Sequence, residues 1–469
     1  MAIVDGTIRD DGGEVFDVRS AAFGAVGNGS TDDTAAIQAA IDAATTATGA
    51  RGGIVFFPPG EYRIESPGLV LPRGKTLALV GAGPDATALH ATAGLLSSTE
   101  PLVRWNFTTG VTTTFFRLQD LQLSRSDEGP VLVYAKPSNN QVSERLAQAV
   151  FENVYFRAKT ASAPGGATAD TVAIDGAINC AFRDVAVHGG NVGLVLSACS
   201  HCLVENFRTD IDFSVNVGMR VIGGGNHVFS NVRVESTNGG AGVQLESGTT
   251  NLVFDGLYFE GKKTTPQINI ASAEGVTILG PALATPTVSN AVGLRVAGSA
   301  TNVRVIGGIA KDFTVHSGGK AIKIESSARY VRVEGLHLYD PSGGASDALA
   351  NVDLSSGAAG VRVELLTDNP PAKRVVVASA PPTLAVNSST PSVSEGEVFK
   401  VANTSSTTIT DLLDDYAGQE VTLIFTDAVT TVSDGTNLRL AGSFTSTGDA
   451  VLKLVRDGTR WYEVSRSVN

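Results

Sequence analysis

The chain has 469 residues, 52 of them glycine, with 6% aromatic residues and a formal net charge of -12. Acidity on this scale argues against nucleic acid or an anionic membrane as a partner, and mildly against a strongly anionic substrate. No stretch approaches the ~20 apolar residues that span a bilayer, and MAIVDGTIRD has neither the basic start nor the apolar run of a signal peptide, so a soluble chain without Sec export is expected.

In chain order, the first predicted element is a helix. Thr31 or Asp32 caps it and it runs through about Ala44, with Ile37, Ala40 and Ile41 on one face. Asp32 and Asp33 read as turn and helix-start carboxylates, favoured by the helix dipole, rather than as metal ligands or catalytic acids. Around this helix the sequence reads FDVRSAAFGAVGNGSTDDTAAIQAAIDAA from 16 and GGIVFFPPGEYRI from 52. These stretches resemble the N-terminal hallmark of the pectate-lyase-3-like right-handed β-helix superfamily, which also contains bacteriophage tailspikes and several glycoside hydrolases and lyases. The resemblance implies a fold rather than a substrate, and makes residues 1–60 a cap whose helix plugs the open apolar end of a solenoid.

The body of the chain, 61–370, is periodic. An apolar-x-apolar triplet recurs in TVAIDG at 171, GLVLSA at 193, GMRVIG at 218, GVQLES at 242, QINIAS at 267, GLRVAG at 293, AIKIES at 321 and NVDLSS at 351. Period-two alternation makes each a strand with one buried face, and recurrence every 22 to 30 residues is the spacing of a coil, so the reading is a parallel β-helix. The expected inward pairs run from Val172/Ile174 to Val352/Leu354. A second column, FENV at 151, FRDV at 182, VENF at 204, FSNV at 229, FDGL at 254 and VEGL at 333, has Asn, Asp or Gly third, which suits a corner with left-handed backbone.

Cys180 and Cys202 stand one coil apart and are expected as stacked buried thiols; CSHC at 199 has no second Cys/His cluster to complete a zinc site. His201, His227, His316 and His337 are expected on turns or surfaces.

The register places candidate chemistry on one outward face. Taking Val154, Val185, Phe207, Val232 and Leu257 as inward, three residues further on come Arg157, His188, Asp210, Glu235 and Glu260, and one residue further on come Tyr155, Ala186, Arg208, Arg233 and Tyr258. Rungs ~4.8 Å apart put Asp210 and Glu235 about one rung apart and Asp210 and Glu260 about two. These spacings suit a retaining and an inverting glycosidase respectively. Asp210, Glu235 and Glu260 are therefore the candidate catalytic acids, with Asp212 able to join them. Tyr155, Arg157, His188, Arg208, Arg233 and Tyr258 are the candidate sugar contacts. A lyase would use the face differently, with His188 or Tyr258 as base and Arg208 or Arg233 neutralising a uronate carboxylate. No metal is expected for the hydrolase; calcium on the three acids is the alternative for a lyase. Ion pairs Arg208–Asp210 and Arg233–Glu235 on an inert surface are the bland reading.

From 371 to 394 the repeat is lost in a Pro, Ser and Thr-rich linker. Short strands from 395 to 469 form a small β-sandwich or barrel-like module. It resembles the C-terminal modules of tailspike-type β-helix proteins, which implies a homotrimer; a carbohydrate-binding module is the alternative.

The combined expectation is an all-β right-handed parallel β-helix with an N-terminal capping helix and a C-terminal β domain, extracellular or virion-associated. The resemblance implies a polysaccharide ligand. The lead function is a tailspike-like glycoside hydrolase acting on a bacterial surface polysaccharide; a uronate lyase or epimerase, and a non-catalytic glycan-binding fibre, are the alternatives.

Overall fold

The computed structural model describes residues 2–4, 7–9, 14–46, 52–92, 96, 99–106, 112–126, 129–134, 145–158, 170–209, 217–235, 240–259, 266–283, 289–311, 313, 319–339, 351–355, 358, 360–367, 373–378, 380–394 and 396–467. The chain divides into two compact units. The first comprises Met1–Glu325, Arg332–Asp353 and Glu364–Val376, the second Ser326–Val331, Leu354–Val363 and Val377–Asn469.

The first unit is built on a parallel β-solenoid of about 12 turns. The triplets stack in the register expected from their spacing: Val172 pairs with Leu194, then Met219, Val243, Ile268, Leu294 and Ile322. All are buried. The last expected pair differs, since strand Val352–Leu354 is only half-buried along its length.

A second inward column runs Phe151, Phe182, Val204, Phe229, Phe254, Ile278 and Val305. In-register stacking brings identical rings face to face. Phe151 and Phe182 lie 4.6 Å apart and 4° from parallel, Phe229 and Phe254 4.3 Å and 7°. Each buried Phe contributes roughly 1.5–3 kcal/mol of burial, with a further ~0.5–1.5 kcal/mol from each ring pair.

The corners fall where Asn, Asp and Gly recur. Asn153, Asp184, Asn206 and Asn231 have φ between 50° and 52° or at 49°, and Gly256 and Gly335 occupy the same position at 73° and 69°. Left-handed backbone of this kind is cheapest for Gly and next for Asn and Asp. The amides also satisfy one another between turns: Asn206 donates to Asp184 at 3.0 Å, and Asn231 donates to Asn206 at 2.8 Å.

Helix Thr34–Thr46 buries Ile37, Ala40, Ile41 and Ala44 and packs on strands Val15–Asp17, Gly53–Phe56 and Leu69–Leu71. Both aspartates before it are structural. Asp32 accepts from the Thr34 amide (3.0 Å) and hydroxyl (2.6 Å). Asp33 is buried and accepts from the amides of Val26 (2.6 Å) and Gly27 (3.0 Å).

Cys180, Cys199 and Cys202 are buried and form no disulfide. Cys180 and Cys202 lie on successive turns, the Leu203 amide donating to Cys180 O at 2.9 Å. Hydrogen bonding with Cys202 and burial both push the Cys180 thiol well above its ordinary pKa. His227 corrects an expectation, being fully buried rather than on a surface or turn. Its Nδ1 accepts from the Cys202 amide at 3.1 Å. The corner residue is its neighbour Asn226, at φ 57°. His201 does sit at a corner, at φ 55°, whereas His316 lies outside the described residues.

In the second unit, a five-stranded and a three-stranded sheet enclose Phe399, Leu423, Phe425, Leu452 and Trp461. Leu384 and Val393, in the stretch read as linker, are buried in this core. Strand Lys373–Ala378, also in that stretch, belongs to the solenoid sheet. Asp427 ties the module's loops together, accepting from the amides of Asn403 and Val429 and the hydroxyls of Thr430 and Ser446. Burial raises its pKa, but these hydrogen bonds outweigh burial and hold it below the ordinary value.

Two outcomes follow from this packing. Phe229→Ala removes half of a stacked pair and should cost about 3–5 kcal/mol, read as a lower denaturant midpoint for the solenoid. Because the folded pKa of Asp427 is depressed, its contribution is present above the unfolded value of about 4 and is lost as pH falls through the folded value. Asp427→Ala should therefore lower the module's melting temperature at pH ~7 and flatten its decline on acidification.

Candidate functional site

Two outward columns run side by side on one sheet of the first unit. In the first, Gln122 pairs with Ala88 and with Tyr155, and the column continues through Ala186, Arg208, Arg233 and Tyr258 to Ala282. In the second, two residues further along each strand, His90 pairs with Ser124, Ser124 with Arg157 and Arg157 with His188. The strand period of two turns both columns to the same side.

The six predicted sugar contacts thus share one face, and most of them line two adjoining depressions. A cleft of about 470 Å³ is bounded by Glu61, Ala88, His90, Gln122, Ser124, Arg125, Ser126, Arg157, Ala158 and His188. A second, of about 410 Å³, is bounded by Pro84, Asp85, Asn153, Tyr155, Asp184, Asn206 and Arg208 together with Val154, Val185 and Ala186. Tyr258 and Arg233 lie further along the column.

The predicted acids fare differently. Asp210, Asp212 and Glu260 lie outside the described residues. Glu235 is half-buried and ion-paired with Arg233, Nε to Oε1 at 2.9 Å. Arg233 also lies 5.7 Å from the centre of the Tyr258 ring. This arrangement uses the charge of Glu235 and one arginine locally, as the surface reading anticipated. Of the three acids considered for calcium, only Glu235 is described, and among the described residues no group of three or more His, Cys, Asp or Glu is placed to hold a metal.

Arg157 and Arg208 contrast with Arg233. Both are exposed, and neither has an ion pair or side-chain hydrogen bond among the described residues. Cationic side chains held beside a histidine can neutralise a bound carboxylate. His188, at 9% exposure, is held between the interior and the cleft, on the rung after Arg157.

His90, Ser124 and Ser126 were missed by the sequence reasoning. Strand Thr87–Ala91 does alternate, with Thr87, Leu89 and Ala91 buried. But 34 residues separate His90 from its register partner Ser124, more than the 22 to 30 of the later coils, so the repeat does not reach this turn.

The family model described as rhamnogalacturonase A/epimerase, pectate lyase-like, matches residues 17–265. The chain belongs to this family. Among curated proteins, mannuronan C5-epimerase AlgE6 of Azotobacter vinelandii is 42% identical over 105 residues, 22% of this chain and 11% of the relative. Alginate lyase 7 of the same organism is 46% identical over 77 residues, 15% of this chain and 8% of the relative. The matched segments thus span a small part of either relative's length. Among solved structures, the AlgE6 A-module is similar with a TM-score of 0.48 and 20% identity, over 78% of this chain and all of that one. The Dettilon tailspike protein gives a TM-score of 0.46 and 12% identity, over 96% of this chain and 77% of that one.

Proposed function

We propose that this member of the family is a polysaccharide-modifying enzyme that acts at a uronate residue by abstracting the proton next to the carboxylate, as a lyase or an epimerase. The observation that carries this reading is the pair of exposed arginines, Arg157 and Arg208, without an ion pair among the described residues and flanking His188 on one face. A sugar carboxylate bound by one guanidinium loses much of its negative charge, and charge delocalised onto it after proton loss is stabilised by the same cation. His188 is the base in this scheme. Either a proton is then delivered to the opposite face of the carbon by a second donor such as water, inverting it, or the C4 oxygen leaves with a proton from solvent and a double bond forms. Tyr155 and Tyr258, along the first column, are sugar-stacking positions for the flanking units of a linear polymer.

The similarity of short segments to mannuronan C5-epimerases and to an alginate lyase supports the same class of substrate. It also bears on the chain's acidity. A guanidinium at hydrogen-bonding distance, Arg157 in one cleft or Arg208 in the other, acts on a bound carboxylate more strongly than a dispersed and screened net charge.

Hydrolysis by Asp210, Glu235 and Glu260 is the second reading. It is favoured by the 3.1 Å bond from the Glu235 amide to Thr209 O, which keeps Glu235 in strand register. The 2.9 Å ion pair weighs against Glu235 in catalysis, because its carboxylate is already engaged by Arg233.

The test is incubation with polymannuronate and mixed polyuronates, following ultraviolet absorbance for unsaturated ends, reducing ends, and C5 configuration by NMR. The expected result is unsaturated ends or altered C5 configuration, reduced roughly 10²–10⁴-fold in His188→Asn and Arg157→Ala. Reducing ends without absorbance, abolished in Glu235→Gln, would contradict the proposal in favour of hydrolysis.

A further inference from the structure

His90 stands between two serines. Its Nδ1 lies 2.8 Å from Ser124 Oγ and its Nε2 lies 3.1 Å from Ser126 Oγ. Ser124 is 4% exposed and fixed in register beside His90 on strand Phe116–Arg125. Ser126, just past that strand, is half-buried, its amide held by Ala91 O at 2.9 Å. His90 and Ser126 both open onto the 470 Å³ cleft, and Arg157 lines its wall one rung from Ser124.

A hydroxyl within hydrogen-bonding reach of an imidazole, whose other nitrogen is oriented by a third group, is the arrangement that activates a serine nucleophile. Proton abstraction from a uronate requires only one base and one cation, so it gives no reason for a serine on each side of His90. We propose that Ser126, His90 and Ser124 form a nucleophile, base and orienting group that hydrolyse a short acyl ester on an O-acylated sugar bound in this cleft. This activity does not depend on the uronate chemistry of His188.

The step balances without any co-reactant other than water. With the Nδ1 proton donated to Ser124 Oγ, His90 Nε2 takes the proton of Ser126. Ser126 Oγ forms a bond to the acyl carbon, and Arg157 stabilises the oxyanion. The bond from the acyl carbon to the sugar oxygen then breaks, and His90 returns its proton to that oxygen. Water, deprotonated by the same nitrogen, releases the acid and restores Ser126.

An acyl group suits this position because of what lines the cleft beside the serine. Its lining is mixed, with Ala88 and Ala158 beside Gln122 and Arg157. A small acyl group can rest on the alanines while the sugar spreads along the columns.

Two measurements on the full chain test the proposal. The intact protein is treated with a fluorophosphonate and digested, and the adduct is located by mass spectrometry. p-Nitrophenyl acetate hydrolysis and acetate release from an O-acetylated polyuronate are measured for wild type, Ser126→Ala and His90→Asn. One adduct per chain on Ser126, with hydrolysis falling roughly 10²–10⁴-fold in both variants, is expected. Ser124→Ala should reduce turnover while leaving Ser126 open to labelling, as a positioning residue would. Wild-type protein with native melting behaviour that takes up no label at Ser126 would overturn the proposal, and this readout requires no variant to fold. Because the model ester contains no uronate and the polyuronate assay no ester, failure of either activity leaves the other separately decided.

Discussion

Adjacent turns of this protein hydrogen-bond in register, residue above residue, at the ~4.8 Å spacing of a parallel sheet. A side chain on one rung therefore meets the side chain at the same position on the next, inside and outside. In the interior this yields near-parallel stacks, Phe151 on Phe182 and Phe229 on Phe254. At the corners it yields amides that satisfy one another, Asn231 to Asn206 to Asp184. A slip of one residue would turn every inward apolar group to solvent, so register is strongly specified by burial. The outward columns inherit that order at no extra cost.

The same constraint shapes the electrostatics of the face. Stacking places Arg208 against Arg233, which would repel were both unpaired. Glu235, two residues beyond Arg233, neutralises one of them at 2.9 Å. What remains are two exposed guanidiniums, Arg157 and Arg208, beside His188, in clefts that Glu61, Asp85 and Asp184 also line, on a chain whose total charge is -12.

Much of this was legible in the sequence because a solenoid writes its fold as repetition. The inward triplets from Val172 to Ile324 and the corner residues from Asn153 to Gly256 are separated by one coil each, so period and register could be counted. The outward columns Tyr155, Arg208, Arg233, Tyr258 and Arg157, His188 followed from the same count. Two kinds of feature were not legible. Turns with long excursions break the count, which hid His90 behind a 34-residue interval to Ser124. Side-chain partnerships depend on rotamers rather than on spacing: nothing in the pattern says that Glu235 folds back on Arg233. His227 was misread for a simpler reason. The asparagine that makes the corner precedes it, so His227 itself is the first inward residue, stacked next to Cys202 in the interior. In the second unit, where no repeat exists, Leu384 and Val393 in a Pro/Ser/Thr-rich stretch gave no sign that they complete a core.

The central claim is that an acidic polysaccharide lies along the two outward columns of the solenoid. Hydrogen exchange with and without a mannuronate oligomer tests it most directly. The account predicts slowed exchange in the segments containing strands Thr87–Ala91, Phe116–Arg125, Val150–Arg157 and Ala181–His188, or in the connections leaving them. Protection confined to residues 380–467, with those segments unchanged at saturating oligomer, would contradict it.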